Sequence, residues 1–164
     1  MRELNQIRDA VVSALQAAGM CALVSYPDQR AGRYAGPVAA VAVETAESRT
    51  VGFCNYLGEV FDTGAGAPRE LYGKQLEAVI SIEIRGQRAA DCEQGCETAA
   101  EVLLERLPAG IRPGELNWEA LTWERETGLF LRRGRPRCRA YFLARAEEGD
   151  TVFLDFRLKG AVTT

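Results

Sequence analysis

Two stretches of the chain repeat apolar residues at the spacing of an amphipathic helix. The first predicts a helix over about residues 2–18, with Gly19 at its end. Its apolar face carries Leu4, Ile7, Val11 and Leu15. The second predicts a helix over residues 90–107, which Pro108 and Gly110 end. Its apolar stripe consists of Cys92, Cys96, Ala99, Leu103 and Leu107.

Alternation of apolar and polar residues predicts strands in the rest of the chain. The clearest strand covers residues 71–85, where every second residue is apolar from Leu76 to Ile84. Further strands are predicted over residues 20–26, 38–44, 50–56, 116–125, 129–133, 137–146 and 151–158.

Glycine, proline and short polar segments predict the connections. Residues 27–37 contain two prolines, two glycines and two arginines, and predict a loop. Residues 45–49 are short and polar, as in a hairpin connection. Residues 57–70 contain three glycines and one proline, and predict a long loop. Thr127-Gly128 and residues 148–150 predict turns.

The resulting order α-β-β-β-β-α-β-β-β-β predicts an α+β fold, in which two helices pack on one face of a mostly antiparallel sheet. A length of 164 residues is typical of one domain. We expect residues 1–160 to form it and residues 161–164 to be a loose tail.

The composition of the chain excludes several catalytic and binding arrangements. The chain contains no histidine, which removes the Ser-His-Asp and Cys-His catalytic arrangements and the commonest metal ligand. Five cysteines form no even disulfide framework, and the net charge of −3 gives no overall attraction to nucleic acid. No run approaches the roughly 20 apolar residues of a membrane span, so we expect a cytoplasmic protein without membrane contact.

Three local patterns resemble a metal site, a phosphate site or an acid–base pair. A structural role explains each of them better. Cys92 and Cys96 share a helix face, but no further ligand accompanies them, and we expect them in the core. Residues 63–67 resemble a phosphate loop but lack the lysine and hydroxyl that follow the last glycine. The pair Glu124 and Glu126 has no pocket that the sequence reveals. We therefore expect no enzyme, cofactor or metal, and we expect Trp118 and Trp123 in the core.

Residues 132–139 hold five arginines in eight positions, the strongest local charge in the chain. A solvated hairpin tip, a protein contact and a nucleic-acid contact each explain such a run. Arginine is suited to interfacial ion pairs and to phosphate. The candidate interface residues are Arg30, Arg33, Tyr34, Arg69, Arg132, Arg133, Arg135 and Arg137.

The chain resembles the tail terminator (tail completion) proteins of bacteriophages and phage-derived contractile particles. The resemblance rests on the opening helix, residues 71–74 leading into residues 80–84, the helix from Cys92 to Leu107, residues 125–130, and residues 153–156. It extends over most of the chain as a pattern of elements without a signature motif. A head–tail joining or neck adaptor protein is the nearest alternative, and a small carboxylate-based enzyme is a more distant one.

The resemblance implies a structural subunit of a homo-oligomeric, hexameric ring. Such a ring caps the tail tube, ends its polymerisation and offers a docking surface to a neck or cap protein. The implied partners are further copies of the chain, the tail tube protein, the sheath, and the neck or cap protein. Nucleic acid would only pass through the lumen of the ring in a phage. Assembly in the bacterial cytoplasm would precede incorporation into the particle.

Overall fold

A computed structural model describes residues 2–25, 34–145 and 155–158 of the chain. It contains two helices and one sheet of eight strands. The helices are α1 (Arg2–Ala17) and α2 (Ala89–Glu105). The strands are β1 (Cys21–Leu23), β2 (Val38–Thr50), β3 (Tyr56–Asp62), β4 (Ala67–Gly86), β5 (Ile111–Trp118), β6 (Thr122–Glu124), β7 (Leu129–Arg145) and β8 (Asp155–Leu158).

The sheet is antiparallel except where β1 pairs parallel with β2. Its main path runs β1-β2-β4-β7-β5, while β3 pairs with β4, and β6 and β8 pair with β7. The α+β class that the sequence predicts is confirmed. The predicted strand over residues 50–56 is wrong, because β2 ends at Thr50, a 3-10 turn follows at Phe53–Asn55, and β3 begins at Tyr56.

Both helices pack on the same face of the sheet and share one core with it. Ile80, Ile82 and Ile84 lie on that face of β4 and are fully buried. The helical residues that meet the sheet are also buried: Ile7, Val11, Leu15, Cys92, Cys96, Ala99, Val102 and Leu103. The predicted apolar faces are therefore confirmed for these residues, while the side chain of Leu4 lies outside the described part of the chain.

Three predictions of connections are wrong. Residues 45–49 continue β2 rather than turning, and residues 57–70 form a hairpin of β3 and β4 rather than a long loop. In both cases the strand is exposed on both faces, so it lacks the one-sided apolar alternation by which strands are recognised. Residues 129–133 and 137–146 are not separate strands, because β7 runs unbroken from Leu129 to Arg145.

Other boundaries differ by smaller amounts. The predicted strand over residues 20–26 reduces to β1, and the one over residues 116–125 divides into the end of β5 and the short β6. The strand over residues 71–85 is confirmed and begins four residues earlier, at Ala67. Gly128, with φ 66°, lies in the predicted turn before β7. Residues 148–150 and 161–164 lie outside the described residues.

Candidate interaction surfaces

The sheet face opposite the helices, called here the open face, carries a network of ion pairs. At its centre Arg85 donates from Nε and Nη2 to the two carboxylate oxygens of Glu124, at 2.8 and 3.0 Å. Its Nη1 lies 2.9 Å from Oε2 of Glu83. Arg133 donates from Nε to the other oxygen of Glu83, at 3.0 Å. Two arginines thus share one carboxylate, and a third charge pair is added by Glu124.

The pKa values follow these contacts. Burial acts to raise the pKa of Glu83, but hydrogen bonds from Arg133 and Arg85 outweigh it and hold that pKa below the ordinary value. The hydrogen bond from Arg85 lowers the pKa of Glu124 for the same reason. Both carboxylates therefore stay ionised at neutral pH, and they neutralise the buried guanidinium of Arg85.

Ion pairs neutralise three of the five arginines in residues 132–139. Arg133, Arg135 and Arg139 alternate with buried residues of β7 and point to the open face, where glutamates of β2 and β4 meet them. Arg135 pairs with Glu44 at 3.1 Å and with Glu119 at 3.3 Å. Arg139 pairs with Glu77 at 2.8 Å. The predicted hairpin tip is wrong: the arginine run is the middle of a paired strand.

The eight candidate interface residues do not form one cluster. Arg30 and Arg33 lie outside the described residues. The carbonyl of Tyr34 accepts a hydrogen bond from Gln87 at 3.4 Å, and Arg69 lies exposed on β4 beyond the last pairing with β7. Arg132 lies on the helix-covered face, opposite Ile84, and its Nε donates to the carbonyl of Glu119 at 3.0 Å. The open face brings together the remaining three: Arg133, Arg135 and Arg137.

At the β5 edge of the open face, a groove of about 200 Å³ is lined by Arg112, Arg137, Arg139, Glu77, Pro113 and Gly114. This arginine groove lies beside a bulge in β5 between Pro113 and Leu116. A Cβ on Gly114 would lie 3.1 Å from the carbonyl oxygen of Arg137, so the glycine lets the two strands approach closely. Arg139 is neutralised by Glu77. Within the described part of the chain, Arg112 and Arg137 have no ion pair.

A second surface is the ribbon, defined as β3 together with residues 67–72 of β4. Pairing between β4 and β7 begins at Tyr72, so residues 67–71 have β3 as their only neighbour in the described structure. Asp62 closes the tip, where its Oδ1 accepts from the backbone N–H of Gly64 at 2.9 Å and of Ala65 at 3.2 Å. The glycine-rich segment that resembles a phosphate loop is this tight turn.

The ribbon and its base concentrate exposed apolar side chains. Five of the eight large apolar residues exposed in the described structure lie between residues 53 and 72: Phe53, Tyr56, Val60, Phe61 and Tyr72. Cross-strand register places Tyr56 beside Tyr72 and Phe61 beside Pro68 on one ribbon face. The two tyrosine rings meet edge to face, 5.7 Å apart. The pattern of apolar residues does not predict this surface, although Asp62 and the two glycines after it are a hairpin signal.

The base of the ribbon holds an unusual backbone. Gly52, Cys54 and Asn55 have φ of 54°, 54° and 61°, a left-handed conformation that is uncommon outside glycine. This irregular segment separates β2 from β3. Both strands pair antiparallel with β4, along successive parts of its length. It leaves the ring of Phe53 89% exposed.

The structure also shows whether the cysteines and tryptophans that the sequence predicts for the core are buried. Cys92 and Cys96 are buried in the core, as expected, and the thiol of Cys92 lies 3.1 Å from the carbonyl of Phe130. Burial raises the pKa of Cys96 to about 11. The core prediction for Trp123 is wrong, because its ring is 56% exposed and contacts Phe130 edge to face. Trp118 packs against the core over Gly134, where a Cβ would lie 2.5 Å from the ring.

The described residues contain no cluster of metal-ligating side chains. No group of three or more cysteine, aspartate or glutamate side chains among them is placed to hold a metal ion. A depression of about 350 Å³ lies between β1, residues 34–37 and α2, and no carboxylate or lysine lines it. Neither helix, nor any other described one, has the length and apolar character needed to cross a membrane.

Comparison with known proteins gives distant likenesses among solved structures. No protein family matches the sequence, and no curated protein matches it either. A chain from the structure titled "Virion of native gene transfer agent (GTA) particle" aligns with 81% of this chain and 86% of its own length. The sequence identity is 17% and the TM-score is 0.35. A likeness of that degree identifies no function, which has to be inferred from the surfaces of this chain.

Proposed function

We propose that this chain is a structural subunit of a phage-like particle, and that copies of it form a ring that caps the tail tube. The ring ends polymerisation of the tube and offers the docking surface for a neck or cap protein. Residues 1–160 act as a single domain in this role. Assembly takes place in the bacterial cytoplasm, before the ring becomes part of the particle.

The ribbon is the observation that carries this proposal. Unpaired strand edges and exposed aromatic rings are surfaces that another protein chain covers well, because the edge adds backbone hydrogen bonds and the rings add apolar contact area. Tyrosine and phenylalanine are also enriched in protein interfaces. A monomer gains nothing from exposing four such side chains on one hairpin and a fifth, that of Phe53, at its base.

The ribbon is favoured as the contact with the tube over the open face. Charges on the open face are largely neutralised within the chain, whereas the apolar side chains of the ribbon have no cover in the described structure. The tip turn at residues 63–66 adds a narrow end that can reach into a neighbouring subunit. The element order is also the one on which the resemblance to tail terminators rests.

The test is the length of tail tubes assembled in vitro, measured by negative-stain microscopy. Purified chain is added to polymerising tail tube protein from the same particle, and we expect shorter tubes that end in a ring. Phe61→Ser, on the ribbon, should restore the long tubes. Val24→Ser removes an exposed apolar side chain outside the ribbon and is the matched control, which should still shorten them.

The outcomes separate the alternatives. Tubes of unchanged length with the wild-type chain contradict a terminator. A ring found only at the head-proximal end of finished tails, without any effect on length, indicates the neck adaptor instead. Shortening by wild type and Phe61→Ser alike contradicts the role given to the ribbon.

A further inference from the structure

The exposed side of α2 carries a row of like charges. Four glutamates follow one another at a spacing of four residues, so they lie along one side of the helix. All four are exposed, and they are called here the glutamate row: Glu93, Glu97, Glu101 and Glu105. Only Glu101 has a cationic partner in the described structure, Arg106. Like charges at this spacing destabilise an isolated helix. Stabilisation of α2 therefore does not explain the row.

The arginine groove carries the opposite charge, and there too like charges lie close enough to repel one another. Arg112 lies directly across the strand pair from Arg139, and like charges in that position destabilise a sheet. Arg137 adds a third guanidinium to the groove. The other arginines described on the open face each form an ion pair with a glutamate of the chain. Arg112 and Arg137 form none in the described structure. The hydrogen bond from Arg139 lowers the pKa of Glu77, and Arg137 is close enough to that carboxyl to lower it further.

We propose that the arginine groove of one copy binds the glutamate row of α2 on a second copy. Planar guanidinium groups bind carboxylates through paired hydrogen bonds, and Arg112 and Arg137 are available to make them. The groove also lies on the sheet face opposite the helices, so the two surfaces point away from each other. One copy therefore cannot satisfy its own charges, whereas a second copy can.

The contact joins two different surfaces, so it is heterologous and repeats from copy to copy. A repeated heterologous contact closes into a ring or extends into a filament. The inference rests on the proposed ring and supplies the contact between its subunits, while the ribbon stays free for the tube. Nucleic-acid phosphate is the competing occupant of the groove, and the net charge of −3 disfavours the approach of a polyanion.

Charge exchange between the two surfaces tests the contact by sedimentation at low salt. The groove variant is Arg112→Glu with Arg137→Glu, and the row variant is Glu93→Arg with Glu97→Arg. Each alone should raise the dissociation constant of self-association by about a hundredfold or more, because like charges then face each other. Mixing the two variants should restore association, because each contact between one variant and the other pairs opposite charges.

The control is Lys74→Glu with Arg125→Glu, which changes the net charge as the groove variant does but lies outside both surfaces; it should associate as wild type does. Wild-type chain that stays monomeric at high concentration overturns the proposal. A mixture that stays monomeric also overturns it. Loss of binding to a single-stranded oligonucleotide in the groove variant, with self-association intact, assigns the groove to phosphate and overturns it too.

Tube length, scored with the same samples, separates this contact from the proposed function. Wild-type chain that shortens tubes without charge-rescued association overturns the contact and leaves the tube cap in place. Charge-rescued association without any effect on tube length retains the contact and removes the cap.

Discussion

The strand β4 passes through two regions that differ in what holds them together. Between Ala78 and Ile84 it lies under both helices, and alternate side chains are fully buried in the shared core. Between Ala67 and Leu71 it has one neighbouring strand in the described structure and is mostly exposed. Apolar burial is the main stabilising term in folding. The two helices and the part of the sheet under them, called here the body, therefore supply most of the stability of the chain, and the ribbon leaves its apolar side chains exposed.

A large loss of stability is expected from Ile82→Ala, which lies in the body. The side chain is fully buried, and its truncation leaves a cavity under the helices. We expect a loss of about 2–5 kcal/mol in the free energy of unfolding, measured by urea denaturation. Val60→Ala on the ribbon should change it by less than about 0.5 kcal/mol. Similar losses from both variants would show that the ribbon is part of the core.

Gly73 lies where β4 passes from the ribbon into the body. A Cβ there would lie 2.0 Å from the carbonyl oxygen of Phe142 and 2.7 Å from Cδ1 of Leu57. The first atom belongs to the backbone of β7, which cannot move without disturbing the sheet. We expect Gly73→Ala to lower the free energy of unfolding by about 1–3 kcal/mol.

Gly36→Ala is the control for Gly73→Ala, because a Cβ at Gly36 meets no atom within 4 Å. It should change the unfolding free energy by less than about 0.5 kcal/mol. A Gly73→Ala variant as stable as this control would contradict the close approach of β4 and β7 at that point.

Removal of charge from the open face should have an effect of comparable or smaller size. Arg85→Gln leaves Glu83 and Glu124 without the guanidinium that neutralises them, and we expect a loss of about 1–3 kcal/mol at neutral pH. Arg125→Gln, in an exposed turn, is the control and should leave stability unchanged. An Arg85→Gln variant as stable as the control would show that the open-face network adds no net stability.

The same network predicts a dependence on pH. The folded pKa values of Glu83 and Glu124 lie below their ordinary value of 4.5, so the unfolded chain binds more protons in that range. Stability is therefore fully present above pH 4.5 and falls as the pH drops through the folded values. Arg85→Gln should flatten this acid loss in urea titrations at a series of pH values. An equally steep loss in the variant would assign the acid sensitivity to other groups.

How much of this fold the sequence predicts depends on whether an element has a buried face. The two helices and the alternating isoleucines of β4 each bury one side, and their patterns predict them correctly. Residues 45–49 and the ribbon bury neither side, so no alternation distinguishes their strands from loops. Gly58 lies at a bulge of the ribbon, and Gly64 and Gly66 lie in its tip turn. Without the strand register, these glycines suggest a loop.

The arginine run shows why the surfaces are harder to predict than the core. Gly134 and Pro136 suggest a turn locally, yet both are buried positions of a continuous strand. The glutamates that neutralise the arginines come from β2, β4 and residue 119, and only the folded sheet brings them together. The predicted basic surface is therefore largely neutral, and its unmatched part lies at Arg137 and at Arg112, which the sequence did not single out.

The smallest effect on stability is expected where the effect on assembly is greatest. Phe61→Ser removes a ring that is 63% exposed on the ribbon, so the free energy of unfolding should change by less than about 0.5 kcal/mol. Phe142→Ser, where the ring is 3% exposed in the body, should lose about 3–5 kcal/mol. Urea denaturation of the two variants tests the division between ribbon and body with one residue type. If Phe61→Ser lost as much as Phe142→Ser, the exposed rings would serve folding, and a failure of that variant to shorten tubes would no longer report on a contact surface.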